Sequence, residues 1–145
     1  PNDLYYILEQ ANETVGGYAL ERKVQIILDV QSDTWIVGDW DKLHSVFVNL
    51  LSNAIRHARG YVWVKSQLSA NNTKVVITVH DDGEGFSAED MEHAFEYFYT
   101  RVKSGSGLGL TIARKIIIEH GGTIQIYNAD GGGAVVEVVL SAKEM

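Results

Sequence analysis

Asn49-Leu50-Leu51-Ser52-Asn53-Ala54-Ile55-Arg56-His57 lies near the middle of the chain and combines an apolar helical pattern with two amides. Leu50, Leu51, Ala54 and Ile55 continue an apolar series begun by Leu43, Val46 and Phe47, which gives one wide face of an amphipathic helix. Asp39 is its predicted N-cap, and the pattern runs to about Ala58, where Gly60 stops it. Asn49 and Asn53 stand four residues apart and therefore share a helical face. The amide oxygen of Asn53 suits a hard cation such as Mg²⁺, which takes oxygen ligands and keeps waters and substrate phosphates for the rest of its shell. Arg56 and His57 follow on the next part of the turn, within reach of phosphate oxygens. The same polar positions also read as an ordinary solvent-facing helix surface.

On the N-terminal side, Leu4, Ile7, Leu8, Ala11, Val15 and Ala19 repeat at helical spacing. Gly16 and Gly17 are expected to stop or bend that helix before Tyr18 to Arg22 resume it, since each glycine costs about 1 kcal/mol against Ala. Val24 to Val30 and Thr34 to Val37 read as short strands around a polar turn. On the C-terminal side, Tyr61 to Leu68 and Lys74 to His80 form a predicted antiparallel hairpin. Ser87 and Asp90 have the spacing of a capping box for a short helix carrying Met91, Ala94 and Phe95. A longer helix is predicted from about Leu108 to His120, with Gly121 at C′, and two strands, Thr123 to Tyr127 and Ala134 to Leu140, flank a glycine turn. No repeat or linker interrupts this order, which describes one domain over residues 1–145 with a sheet covered by helices on one face.

Bulk properties limit the partners. The 145 residues, 46% of them hydrophobic, suffice for one core. Twelve Lys and Arg against nineteen Asp and Glu leave a net charge of −7, which argues against a nucleic-acid partner and requires any bound anion to be held locally. Without cysteine there is neither a disulfide nor a thiolate metal site. No run of about 18 apolar residues suggests a membrane span. The chain opens at Pro1 and enters a helical pattern at once, so it is expected to be a fragment of a longer protein.

Three further clusters carry chemistry. Asp81-Asp82-Gly83-Glu84-Gly85 follows a strand directly, so Asp81 could accept a hydrogen bond from an exocyclic amine such as that of adenine while Gly83 and Gly85 let the backbone approach a planar base; it also reads as a common Asp-Gly turn. Gly105-Ser106-Gly107-Leu108-Gly109-Leu110 opens a helix, where free backbone N–H groups and the helix N-terminus suit a polyphosphate, although glycine patterns occur in flexible loops too. It lacks the Gly-Lys-Ser/Thr of a P-loop and lies too late in the chain for a dinucleotide motif. Phe95-Glu96-Tyr97-Phe98-Tyr99 is an aromatic patch before a loop containing Arg101 and Lys103; it reads as core or hinge packing, or as the anchor of a lid whose basic residues touch phosphates.

In this order the clusters resemble the N, G1, F and G2 boxes of the histidine kinase catalytic domain, within the GHKL family of ATP-binding domains, and Gly121-Gly122-Thr123 resembles the turn that follows them. The resemblance implies an α+β fold: a two-layer α/β sandwich in which a mixed, mostly antiparallel sheet of about five strands packs against about three helices. It implies that Asn53 ligates Mg²⁺, that Asn49 supports the phosphate end, and that Arg56 and His57 lie near the phosphates. Asp81 would bind the adenine amine in a pocket shaped by Gly83 and Gly85. Gly105, Gly107 and Gly109, with Leu108 and Leu110 between and after them, would form the hinge and phosphate contact of a short ATP lid from about Tyr99 to Ser106, with Arg101 and Lys103 as further contacts. The sequence departs from the commonest pattern at Glu84, where proline is frequent, and at Phe86, where an aliphatic residue is usual; both are expected to be tolerated at a turn edge.

ATPases of the superfamily carry glutamate at the position of Asn49 to activate water, and an amide cannot serve as that base. The implied activity is therefore transfer of the γ-phosphoryl group of Mg-ATP to a histidine on a separate dimerisation and phosphoacceptor domain, which in turn serves a response regulator. His44, His57, His80, His93 and His120 all lie outside the family's phosphoacceptor context. The alternative is a degenerate nucleotide-binding module without transfer activity. The expected setting is a monomeric cytoplasmic domain of a parent kinase attached to the bacterial inner (plasma) membrane.

Overall fold

Every second residue of Lys74–Asp81 is buried, Val75, Ile77 and Val79 and then Asp81, so the strand's period of two carries its last carboxylate onto the side that faces the helices. The computed structural model describes residues 1–95 and 110–144. In chain order these form β1 (Asn2–Asp3), α1 (Leu4–Arg22), β2 (Gln25–Asp29), β3 (Thr34–Ile36), α2 (Trp40–His57), β4 (Tyr61–Leu68), β5 (Lys74–Asp81), α3 (Ala88–His93), α4 (Leu110–Glu119), β6 (Thr123–Asn128), β7 (Ala134–Ser141) and β8 (Lys143–Glu144).

The main sheet has the strand order β2-β4-β5-β7-β6. Only the β2–β4 pair is parallel; β4–β5, β5–β7 and β6–β7 are antiparallel. Val62 and Val64 on β4 and Val136, Val138 and Leu140 on β7 share the buried side with the inward residues of β5. Against them pack Leu4, Ile7, Leu8, Ala11 and Val15 of α1, Leu43, Phe47, Leu50, Leu51 and Ile55 of α2, and Leu110, Ala113 and Ile117 of α4. This is the two-layer α+β sandwich implied by the boxes, with five strands in the main sheet and three long helices on one face. A second, three-stranded sheet, β1-β3-β8, was not foreseen. Its outer strands are two residues long, below what a hydrophobic pattern can signal.

Three local expectations change. The first helix does not stop at Gly16: α1 runs unbroken to Arg22 and ends on Lys23 in the left-handed conformation (φ 59°), whose N–H donates to the carbonyls of Ala19 and Leu20. Its buried residues lie on both sides of the glycine pair, and burying Val15 and Ala19 outweighs the glycines' intrinsic penalty. The short α3 ends at His93; its capping box is present, but its buried residue is Asp90 and Met91 is exposed. The glycine after α2 is not a left-handed cap either, since the helix terminates on Ala58 in extended conformation.

The two ends of the helical layer are joined by a histidine. His120 Nε2 accepts from the backbone N–H of Asp39 (3.1 Å), while Nδ1 lies 2.7 Å from the carbonyl of Ile116, which requires the neutral Nδ1–H tautomer. Asp39 in turn caps α2 by accepting from the N–H of Lys42 at 3.1 Å. The end of α4 is thereby tied to the start of α2.

Candidate functional site

The C-terminal half of α2 and the loop that leaves β5 meet at one end of the sandwich. Asn53 is buried (6% exposed), and its Oδ1 meets no hydrogen-bond donor among the described residues. A buried amide oxygen left without a partner costs about 1–3 kcal/mol, which a fold tolerates where a ligand supplies the partner. Asn49, Arg56 and His57 are half-buried on the same helix, and the Arg56 carbonyl accepts from the guanidinium of Arg22 at 2.9 Å.

Asp81 is 4% exposed at the end of the central strand. Its Oδ1 accepts from the N–H of Gly83 (2.8 Å) and lies 3.4 Å from the N–H of Ala134 on β7, so the carboxylate is oriented from its own loop and from the neighbouring strand. Gly83 presses directly on the end of α2: a Cβ there would stand 2.1 Å from the carbonyl oxygen of His57. Gly85 adopts φ +85°, the region natural to glycine. These close approaches bring the asparagine helix and the aspartate loop, about 30 residues apart in sequence, into contact.

Asp82, which the sequence reading passed over, holds that junction. One carboxylate oxygen accepts from the N–H groups of Arg59 (2.7 Å) and Gly60 (3.1 Å), and the other also accepts from Gly60 (3.1 Å). Burial alone raises its pKa, but the backbone donors of Gly60, Arg59 and Tyr61 outweigh it and hold the group below its ordinary value of 3.8. At the far end of the loop, Phe86 is buried in the core rather than at a turn edge, and its backbone is bonded to the side chain of Asn128. No local pattern marks Asn128 or Ala134 as members of the site, because both arrive from strands that follow about 45 residues later.

Of the other expected residues, Leu110 begins α4 with its side chain in the core. Arg101, Lys103, Gly105, Gly107, Leu108 and Gly109, and most of the aromatic patch, lie outside the described residues. An open cleft of about 510 Å³ lined in part by Trp63, Lys65, Thr78, His80 and Tyr127 lies elsewhere: these strand residues alternate with the buried ones and so occupy the opposite face of the sheet from Asp81. Among the described residues no group of three or more His, Cys, Asp and Glu is placed to hold a metal, and no helix is long and apolar enough to cross a membrane.

The chain is similar to proteins whose names agree with this geometry. It is 29% identical over 143 residues to sporulation kinase B of Bacillus subtilis (strain 168), covering 97% of this chain and 33% of that protein. It is 33% identical over 134 residues to the sensor histidine kinase ZraS of Escherichia coli O157:H7, covering 91% of this chain and 29% of the relative. The chain thus spans about a third of the length of these relatives. Among solved structures, the catalytic domain of histidine kinase ThkA superposes with a TM-score of 0.85 at 28% identity, over 97% of this chain and 93% of that one. Residues 38–144, from the turn before α2 to the final strand, match the family described as histidine kinase-, DNA gyrase B- and HSP90-like ATPase, and the chain belongs to that family.

Proposed function

We propose that this domain binds Mg-ATP between α2 and the Asp81–Phe86 loop, and that within a longer sensor kinase it donates the γ-phosphoryl group to a histidine on a separate dimerisation and phosphoacceptor domain. The observation that carries the reading is the buried Oδ1 of Asn53, an oxygen without a donor among the described residues, on the helix whose end meets the loop that the buried, oriented carboxylate of Asp81 begins. Asn53 Oδ1 is the protein ligand for Mg²⁺, and its chemistry fits: a hard oxygen donor, one of the one or two that this ion takes from a protein. When bound, the ion neutralises charge on the phosphate oxygens.

Asp81 accepts from the exocyclic amine of adenine, with its geometry held by the N–H groups of Gly83 and Ala134. Gly83 and Gly85 bound the base pocket, and Asn49, Arg56 and His57 serve the phosphate end. Arg101, Lys103 and the segment Gly105 to Leu110 complete the phosphate contacts and lid in this reading. Asn49 supplies no general base for water, so the domain orients the nucleotide and leaves the nucleophile to its partner. The domain is a monomer by itself, one unit of a kinase whose membrane-attached parent presents it to the cytoplasm and which passes the phosphoryl group on to a response regulator.

Calorimetric titration with ATP, with and without Mg²⁺, tests the assignment on the wild-type chain, Asn53→Ala and Asp81→Asn. Magnesium-dependent binding is expected in the wild-type chain, with the magnesium dependence lost in Asn53→Ala and binding abolished in Asp81→Asn. Unchanged ATP affinity in Asp81→Asn would overturn the adenine assignment, and an unchanged response to magnesium in Asn53→Ala would overturn the metal ligand.

A further inference from the structure

The loop between β5 and α3 has to keep an unusual shape: Gly85 at φ +85°, and the Phe86 ring buried while the preceding Glu84 is exposed. Its first end is secured by Asp81 Oδ1 on the N–H of Gly83 and by the packing of Gly83 against the His57 carbonyl. Its second end is bonded to a side chain from the far edge of the sheet. Asn128 Oδ1 accepts from the N–H of Phe86 (2.7 Å), and Asn128 Nδ2 donates to the carbonyl of Phe86 (2.9 Å). The flipped amide would set nitrogen against N–H and oxygen against C=O, so only one orientation satisfies both.

A primary amide presents the same donor and acceptor pair as a strand backbone. Asn128, the last residue of β6, thus supplies a rung that the edge strand's own backbone does not offer to the loop. The fit is close: a Cβ on Gly85 would lie 2.7 Å from Asn128 Oδ1, so the glycine both permits the loop conformation and makes room for the amide.

We propose that Asn128 is a positioning residue for the base half of the nucleotide site: by holding both polar groups of Phe86 it fixes Gly85 and the pocket wall relative to Asp81, and so sets discrimination for adenine over a base lacking the exocyclic amine. The inference rests on the nucleotide reading above. Asp81 tells a 6-amino purine, which donates, from a 6-oxo purine, which sets a carbonyl oxygen against the carboxylate. That distinction is sharp only while the base is held in one register. Freeing Phe86 lets the wall shift and blurs it.

The test compares Mg-ATP with Mg-ITP by displacement of a fluorescent ATP analogue from the wild-type chain, Asn128→Ala and Asn128→Asp, with thermal melts alongside. The aspartate is isosteric and keeps an acceptor for the Phe86 N–H but turns its second oxygen on the Phe86 carbonyl. Both variants are expected to bind ATP about tenfold more weakly. Affinity for ITP should change by less than about twofold, so that the preference for ATP falls nearly as far as ATP affinity. A purely structural role would lower the melting temperature and leave the ATP-to-ITP ratio unchanged, and that result in a cooperatively melting variant would overturn the proposal. If Asn128→Ala does not fold, the aspartate variant decides alone. A wild-type chain that binds neither nucleotide would defeat the nucleotide reading itself, whereas a wild-type preference for ATP that both Asn128 variants keep would defeat only this inference.

Discussion

Three consecutive glycines between β6 and β7 offer a graded test of how tightly Asp81 is enclosed. At Gly131 an added Cβ would meet nothing within 4 Å and the backbone is not left-handed. Gly132 has φ +102° with open space around it, while Gly133 has φ +90° and a Cβ position 1.9 Å from the carbonyl oxygen of Asp81. Gly131→Ala should therefore change stability by less than about 0.5 kcal/mol. Gly132→Ala carries backbone strain alone, about 1–2 kcal/mol. Gly133→Ala adds to that strain an overlap that backbone must relieve, about 1–3 kcal/mol more, for a total of roughly 2–5 kcal/mol. With about 3 °C per kcal/mol for a chain of this size, the expected drops in melting temperature are under about 2 °C, about 3–6 °C and about 6–15 °C. Thermal melts followed by circular dichroism read the series directly. Gly133→Ala should also weaken ATP binding, because relief of the overlap displaces the strand end that carries Asp81. Equal losses at Gly132 and Gly133 would refute the close approach, and a large loss at Gly131 would refute the geometry of the whole turn.

Asn53→Ala should leave the ligand-free chain as stable as before, or up to about 1 kcal/mol more stable, because it removes a buried oxygen without a donor; a loss above about 2 kcal/mol in denaturant melts would show that this oxygen is satisfied in the fold. Asp82 has a depressed pKa in the folded chain, so its stabilising contribution is present above the unfolded carboxylate value of about 4 and is lost as pH falls through the lower folded value. Asp82→Asn should accordingly melt below the wild-type chain at pH 7, the gap closing below about pH 4; a gap independent of pH would exclude the charge as its cause. Gly16 and Gly17 are exposed within a continuous helix and a Cβ at either meets nothing, so the double change to Ala should stabilise by about 1–2 kcal/mol, and a destabilised variant would show that α1 does bend there.

Most of the architecture was legible because its signals are local. The period of α2, its Asp39 cap, the alternation along Tyr61 to Leu68 and Lys74 to His80, and the Ser87–Asp90 box each depend on residues a few positions apart, and each is present. The break expected at Gly16 was a local signal overruled, since the burial of Val15 and Ala19 against the core is a tertiary term that propensity omits. Of the small sheet β1-β3-β8 only the central strand was legible, in Thr34 to Val37; its two-residue partners come from opposite ends of the sequence and have no local signature.

Residue order alone shows which side chains are available for chemistry and on which elements they stand: the two asparagines on one face of α2, the aspartate at the end of a strand, the glycines that follow it. Which of them are enclosed, and which distant groups they meet, follows from the way the segments pack. Asn53 Oδ1 is buried without a donor among the described residues, Asp82 clasps the backbone at Arg59 and Gly60, and Asn128 reaches Phe86 across 42 positions. Periodicity reports how a segment meets the core, whereas a hydrogen bond between distant segments exists only once the sheet has set their register, and so no window along the chain contains it.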